Sequence, residues 1–502
     1  MRREALFAPR GDLIDGRFRL PPDPTGEIAV EEPADLERGH EPFPFSSASI
    51  DEAVASARAA WPRWRDGSAD ARAGALHRLR ESIDSAREPL AELIAREVGK
   101  PLWESRTEVA AMLAKIDITL GEGLELVRER SFELAPGRQG RWRAHARGVL
   151  AVLGPFNFPG HLVHGHVVPA LALGNCVVIK PSERAPAVGQ LYAELCARAD
   201  LPSGVVNLVQ GDGALGAALA GHPDVDGVLF TGSFAVGRSL ARATLGQPWK
   251  ILALEMGGKN GVLICDDADL EAAVHATAYG TAVTAGQRCS ATSRAIVHRS
   301  LVERFCERLR VALDSLRMGS PLADDVFLGP VVSAAARERH RQVLEWAHEE
   351  GAECLLEGGP CDGPRPGHWV RPSLHRVSRT SRESRYQTRE HFVPDVFVVP
   401  FDSLDEGIQK LEATDYGLVA SVFTREREHF ERVYRETRLG LLNWNVPTVG
   451  ASSRLPFGGV KRSGNDRPTG VTATGYCSYP VASLEVAHPE PPRSGPGFPW
   501  PD

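Results

Sequence analysis

Gly148-Val-Leu-Ala-Val-Leu-Gly-Pro-Phe-Asn-Phe-Pro-Gly160 opens with five apolar residues, Val149–Leu153, and closes in a loop bounded by proline and glycine. A short apolar run with that punctuation reads as a buried strand. The next eighty residues decide the fold. Apolar runs at Cys176–Ile179, Val205–Val209 and Gly227–Phe230 alternate with helical patterning at Leu162–Leu173, Ala187–Ala199 and Ala235–Ala243. Strand and helix in alternation predict a parallel sheet of the dinucleotide-binding kind, an α/β fold.

Working outward, residues from about Asp51 to Arg130 are rich in Ala, Leu, Arg and Glu, with apolar positions three and four apart, and predict helices. After Glu255 a second alternating set appears. Its strands are Gly261–Ile264 and Ala295–His298, and its helices lie near Leu270–Thr281, Leu301–Leu316 and Ala334–Glu350. A chain of 502 residues exceeds what one hydrophobic core normally supports, so two lobes are expected. No repeat of 20 to 50 residues is visible. The last segment, from His488, is dense in proline and glycine and predicts no regular structure, although Phe498 and Trp500 offer apolar surface to a neighbouring subunit.

Bulk properties remove several function classes. Apolar residues at 42% and charged residues at 25% exclude a disordered chain, and no apolar run approaches the roughly 18 residues of a membrane span. A formal net charge of −7 argues against a general nucleic-acid binder. The local basic stretch Arg128–Arg147 reads as a solvated arginine-rich hairpin or a subunit contact. The N-terminus, Met1-Arg-Arg-Glu-Ala-Leu-Phe7, continues into Pro9, Gly11 and Asp12 instead of an apolar secretory segment, and eight scattered cysteines lack Cys-x-x-Cys pairs. A cytoplasmic protein with reduced thiols is expected.

Three segments carry chemistry. Cys289 lies in Gly286-Gln-Arg-Cys-Ser290, and Glu255 opens Glu-Met-Gly-Gly-Lys259. A thiol nucleophile and a separate carboxylate are what an enzyme needs to form a thioacyl intermediate and direct water at it. Asn157, on the loop after the first strand, can donate to an oxyanion. Phe230-Thr-Gly-Ser233 leads from strand to helix, where Ser233 is a natural N-cap, Gly232 tolerates the turn, and Gly237 permits close approach of the sheet. Such a helix start faces a pyrophosphate well. A rival Gly211-Asp-Gly-Ala-Leu-Gly216 matches a dinucleotide fingerprint literally, but the acidic residue expected some twenty positions on is absent. It reads as a glycine turn into a helix lining the crevice.

Other constellations fare worse. His161, His164 and His166 do not converge on one metal, because His164 and His166 point about 160° apart on a helix, and no metal is expected. A cysteine protease needs a histidine base near Cys289, and no local signature of one is present.

These motifs, with Lys180-Pro-Ser-Glu183, occur in the order and near the spacings of the aldehyde dehydrogenase superfamily, which the chain resembles over nearly its whole length. The resemblance implies a Rossmann-type coenzyme domain (1–127 and 148–257), an α/β catalytic domain (258–464), a β oligomerisation arm (128–147 and 465–486, with a strand near Thr472–Val481) and a tail (487–502). It implies NAD as cofactor, a small-molecule aldehyde as substrate, and a homodimer or homotetramer. By the same resemblance Cys289 is the nucleophile, Glu255 the base and Asn157 the oxyanion donor. Lys180 and Glu183 grip the adenosine ribose, and a carboxylate there repels a 2′-phosphate, which favours NAD over NADP. Phe156, Gly232, Ser233 and Gly237 line the coenzyme, with Glu390 on the nicotinamide ribose and Phe392 near the ring. Val393 stands where a glycine is usual and is expected to add bulk beside the cofactor.

Two segments narrow the substrate. Gly154–Leu171 and Asn443–Gly459 are most similar to the branch acting on N-succinylglutamate 5-semialdehyde in arginine catabolism, with glutamate-semialdehyde dehydrogenases close behind. Backbone N–H groups of Gly450, Ala451, Ser452 and Ser453, with the Ser290, Ser452 and Ser453 hydroxyls, suit an α-carboxylate. Arg454 either adds charge or stays solvated. That branch generally carries Arg where this chain has Val446, which removes a cation expected near a second carboxylate. Rivals are a broad-range aldehyde dehydrogenase, a CoA-acylating dehydrogenase, which Glu255 disfavours, and a non-catalytic homologue of the same fold.

Overall fold

The computed structural model describes residues 7–465, 468–489 and 496–497. Residues 1–6, together with Phe498 and Trp500, lie outside the described residues. The first sheet has seven strands in the order Ile251–Met256, Gly227–Gly232, Val149–Leu153, Cys176–Lys180, Val206–Leu208, Asp12–Ile14 and Arg17–Arg19. The first five are mutually parallel. Val149–Leu153 and Cys176–Lys180 are buried at every position, which explains why they read as unbroken apolar runs: helices cover both faces of a parallel sheet.

The order of these strands makes the site. From Val149–Leu153 the chain steps outward to Cys176–Lys180 and Val206–Leu208, then returns to lay Gly227–Gly232 on the other side of the starting strand. Strand order reverses there, and loops leaving the carboxyl ends of the two strands diverge to open a crevice. The loops are Gly154–Gly160 and the turn at Gly232–Ser233.

Asp12–Ile14 and Arg17–Arg19 extend the same sheet antiparallel, with Leu13 opposite Leu208. Three-residue strands are too short for alternation to reveal. They are secured instead by contacts such as the Gln210 N–H donating to Asp12 Oδ1 at 2.7 Å.

The second sheet runs Glu353–Leu356, Ser373–Arg376, Asp395–Phe401, Thr292–His298, Asn260–Ile264, Val419–Phe423 and Leu441–Trp444. Only the Glu353–Leu356 edge is antiparallel. Successive residues face opposite cores: Val262, Ile264, Ala295 and Val297 pack on one side, and Leu263 and Ile296 on the other. That is the two-residue period of a strand. Apolar side chains from Leu13 to Met256 form a separate cluster, which Ala473, Tyr476 and Cys477 join from the far end of the chain.

Those three residues correct one expectation. The strand read near Thr472–Val481 is a helical turn, Ala473–Tyr476, followed by a strand Ser478–Val486. The turn forms because Ala473, Tyr476 and Cys477 are drawn into the first core, and the Tyr476 hydroxyl meets His166 Nδ1 at 2.7 Å. Ser478–Val486 then pairs along Arg138–Ala146, which pairs with Arg130–Ala135, giving a projecting three-stranded sheet. Two of its arginines are matched by acids. Arg143 Nη2 lies 2.9 Å from Glu485, and Arg141 and Arg143 both reach Glu129.

Candidate active site

Two cavities meet at one side chain. The larger, about 710 Å³, occupies the crevice of the first sheet, and the smaller, about 310 Å³, lies between helix Leu102–Ile118, the start of helix His161–Ala172 and the loop 450–453. Cys289 lines both, and no other described residue does. A thiol so sited can touch one ligand from each side.

The loop carrying Cys289 is held in an unusual backbone. Thr284, Ala285 and Gly286 have φ of 55°, 51° and 71°, and non-glycine residues in that region cost on the order of 1–3 kcal/mol each. Glu104 holds the bend by accepting from the Thr284 N–H at 3.0 Å and from Arg288 Nη2 at 2.8 Å. A Cβ on Gly286 would lie 2.3 Å from the Val393 carbonyl carbon, so only glycine fits. Asn260 Nδ2 donates to the carbonyls of Cys289 and Ala291 at 2.7 and 2.9 Å. Asn157 Nδ2 donates to the Gln287 carbonyl at 2.9 Å, which fixes the amide beside the loop that carries Cys289 and leaves its second proton uncommitted. Glu104 and Asn260 were not singled out from sequence. Asn260 comes directly after the Glu-Met-Gly-Gly-Lys motif, and that adjacency is the one signal that points to it.

Glu255 comes from the carboxyl end of strand Ile251–Met256. The strand's free edge is closed by the segment 463–465: the Met256 N–H donates to the Ser463 carbonyl at 2.9 Å, and the Leu254 N–H to Asn465 Oδ1 at 2.7 Å. Glu255 is buried, and its Oε1 has no hydrogen-bond partner among the described residues. Burial, then the charge of Glu390, pushes its carboxyl well above the usual range. Glu390 accepts the Gly258 N–H at 3.0 Å and lies so close over Gly257 that a Cβ there would meet its carboxylate at 1.9 Å. Burial raises Glu390 to about 7. Burial foremost, then Glu255 and Glu390, also push the Cys289 thiol well above its ordinary value, with Arg288 opposing. Burial therefore disfavours the ionised form of both the thiol and the Glu255 carboxyl.

The larger cavity gathers Phe156, Asn157, Lys180, Glu183, Gly232, Ser233, Glu255, Glu390 and Phe392 on its walls. Lys180 Nζ donates to the Pro181 carbonyl at 2.8 Å and lies 3.6 Å from Glu183, whose side chain is 46% exposed. The Ser233 side chain caps helix Phe234–Ala243 by accepting from the Val236 N–H at 3.3 Å. Gly237, in the first turn, lets the helix settle on the sheet, because a Cβ there would meet Met256 Sδ at 2.4 Å. Phe156 and Phe392 meet edge to face at 5.9 Å. A capped helix start beside a ribose-sized group of Lys and Glu, with a further carboxylate at the far end, fits a dinucleotide's phosphates and two sugars. Asp212 caps helix Gly213–Gly221, and Gly213 and Gly216 line the same wall, which agrees with the reading of 211–216 as a turn into a lining helix. Val393 differs from expectation: Phe392 adopts φ 58°, and this turns the Val393 side chain into the core, away from the cleft.

The smaller cavity brings Ser290, Gly450, Ala451, Ser452 and Ser453 together. It also holds residues that sequence reasoning missed, notably Glu108, Lys115 and Arg288. Their charges sit on or near helical patterns that resemble solvated faces until packing is known. His161 lines this cavity, while His164 bonds the Tyr192 hydroxyl and the Met112 carbonyl, and His166 reaches Tyr476 and Thr231. Arg454 is solvated, 3.6 Å from Glu122, and outside the cavity wall. Val446 is half exposed and also outside it.

Comparison with known proteins gives one answer. An N-succinylglutamate 5-semialdehyde dehydrogenase of Paraburkholderia xenovorans is 41% identical over 452 residues, covering 89% of this chain and 91% of that one. The crystal structure of an NAD-dependent aldehyde dehydrogenase from Sinorhizobium meliloti superposes with a TM-score of 0.91 at 28% identity, over 96% of each chain. Betaine aldehyde dehydrogenase from Staphylococcus aureus, solved with NAD+, gives 0.90 at 27% identity, again over 96% of each. The model of the aldehyde dehydrogenase family matches residues 21–479, and this chain belongs to that family.

Proposed function

We propose that this enzyme oxidises N-succinylglutamate 5-semialdehyde, or an amino-acid-derived semialdehyde close to it, to the carboxylate with NAD+. The observation that carries the reading is Cys289 standing between two cavities, one suited to a dinucleotide and one to a small polar aldehyde. Lys180, Glu183, Ser233 and Glu390 hold the coenzyme, with Phe156, Gly232, Gly237 and Phe392 shaping its walls. When bound, NAD+ supplies the hydride acceptor and a positive charge that favours ionisation of the thiol.

The Cys289 sulfur attacks the aldehyde carbon and forms a thiohemiacetal. Negative charge gathering on the former carbonyl oxygen is met by the spare proton of Asn157 Nδ2 and by the Cys289 backbone N–H. Loss of hydride from that carbon leaves a thioester. Glu255 takes a proton from water, the resulting hydroxide adds to the thioester carbon, and the C–S bond breaks to release the carboxylate and restore the thiolate. A buried carboxyl with a raised pKa suits this role, since its ionised form is a stronger base than an ordinary carboxylate. That role also favours hydrolysis over transfer to CoA.

Gly450–Ser453 supports the substrate class. Among the described residues their backbone N–H groups have no partner, and with the Ser290, Ser452 and Ser453 hydroxyls they suit an α-carboxylate. The relatives at 41% identity favour the succinylated substrate. The test is NADH formation with succinylglutamate semialdehyde, glutamate semialdehyde, succinate semialdehyde and aliphatic aldehydes. Preference for a simple aliphatic aldehyde would overturn the assignment. We further propose a dimer or tetramer built through the projecting sheet, where Phe132 and Leu134 are each more than half exposed. Light scattering on the purified chain tests it, and a monomer refutes it.

A further inference from the structure

Four residues of helix Leu102–Ile118 face the smaller cavity: Thr107, Glu108, Ala111 and Lys115. Positions 107, 111 and 115 are four apart and so share one face of the helix. Lys115 is 2% exposed. Its Nζ donates to the Gly470 carbonyl at 2.8 Å, and among the described residues it makes no ion pair. The charges around it are otherwise matched. Glu108 is paired with Lys100 and also accepts the N–H groups of Gly160 and His161, and Arg288 is paired with Glu104. His161 opposes no charge, since burial keeps its ring neutral with a pKa of about 4, and its Nδ1 has no partner among the described residues.

The cavity wall thus carries one uncompensated cation. A lysine kept only to bond a carbonyl is an unfavourable choice, because burying an unpaired ammonium strips its hydration, whereas a neutral amide can donate to a carbonyl without that loss. Two of the three ammonium donors remain unused. Burial lowers Lys115 to about 8, so it is still mostly cationic at neutral pH. Gly470 belongs to the strand Thr469–Gly470, which pairs with Pro456–Phe457 shortly after the loop 450–453. Lys115 is therefore braced against the same substructure that carries the serines.

We propose that Lys115, assisted by His161, is the counter-ion for a carboxylate on the substrate arm remote from the aldehyde carbon, and so selects acidic aldehydes. The inference rests on the substrate class proposed above and assigns the second carboxylate, for which Val446 offers no cation. It makes Lys115 a specificity-determining residue that takes no part in bond making.

The test compares wild type, Lys115→Gln and Lys115→Arg on N-succinylglutamate 5-semialdehyde and on hexanal. Glutamine retains an N–H donor directed toward the Gly470 carbonyl, one bond shorter than lysine, and removes the charge. We expect Lys115→Gln to lower the ratio of kcat/KM for the acidic aldehyde to that for hexanal by about 10- to 100-fold, mainly through KM. Lys115→Arg should recover most of the ratio. General damage to the fold lowers both rates together and leaves the ratio intact. A ratio within threefold of wild type in Lys115→Gln overturns the role of Lys115, while a wild-type preference for the acidic aldehyde leaves the substrate class standing. Equal kcat/KM for both aldehydes in wild type overturns both. Should neither variant fold, wild type alone decides: glutarate must compete with hexanal at least tenfold more strongly than glutaramide, and equal competition refutes the cation.

Discussion

Replacing Glu255 by glutamine separates its chemical role from its structural one. The side chain is 1% exposed, its Oε1 is without a partner among the described residues, and burial together with Glu390 pushes its carboxyl well above the usual range. Glutamine therefore puts a neutral group of the same shape where burial already disfavours charge. Stability should change by no more than about 1 kcal/mol, a shift of about 2 °C or less in Tm for a chain of this size. The amide cannot accept a proton, so hydrolysis of the thioester loses general-base assistance on the order of 10²- to 10⁴-fold. Steps before hydrolysis keep Cys289 and Asn157. Rapid mixing followed by NADH absorbance should show a burst near one equivalent per active site and then a slow steady rate. Wild-type turnover should rise with pH as the raised carboxyl ionises, since an acid with an elevated pKa is neutral below it and a base above it. The variant should lack that dependence. Fast steady turnover without a burst refutes the assignment, and a Tm loss of 10 °C would show that Glu255 is chiefly structural.

Cys289→Ala should abolish aldehyde oxidation while leaving the NAD+ dissociation constant within about threefold, measured by calorimetry; retention of more than a few per cent of kcat would exclude Cys289 as nucleophile. Asn157→Ala removes one oxyanion donor and should lower kcat about 100- to 1000-fold; a loss under tenfold would mean the amide only braces Gln287. Glu183→Ala should narrow the preference for NAD+ over NADP+, raising KM for NAD+ about tenfold, the lower end for a charged hydrogen bond because the side chain is half exposed. An unchanged NAD+/NADP+ ratio would assign selectivity to another residue.

The sheet was legible because its strands are buried on both faces. Val149–Leu153 and Cys176–Lys180 are short apolar runs between glycine and proline, and no helix-forming alternative competes for them. Asp12–Ile14 was not legible, since three residues between Gly11 and Gly16 carry no period, and the strand exists only because Val206–Leu208 offers it an edge. The turn Ala473–Tyr476 was misread as strand for a related reason: its conformation comes from tertiary contacts of Ala473 and Tyr476, which local pattern does not encode. Around Cys289 the groups proposed to react could be named from motifs. Their supports speak through geometry alone, Glu104 reaching Arg288 across 184 residues of chain and Asn260 reaching Cys289 across 29. Lys115 reads as an ordinary helix lysine until the opposite wall, from residues near 450 and 470, closes over it.

Two cavities that share a single side chain divide the demands on this sequence. Among the described residues the linings of the two cavities, one proposed for the coenzyme and one for the aldehyde, share only Cys289, so a substitution in one lining has little route by which to disturb the other. Selection can therefore retune the face of helix Leu102–Ile118 or the loop 450–453 toward a new aldehyde while the crevice of the first sheet stays as it is. The constraint concentrates on Cys289 and its supports, which must satisfy both sides at once. An enzyme laid out this way can exchange its substrate without relearning its redox chemistry.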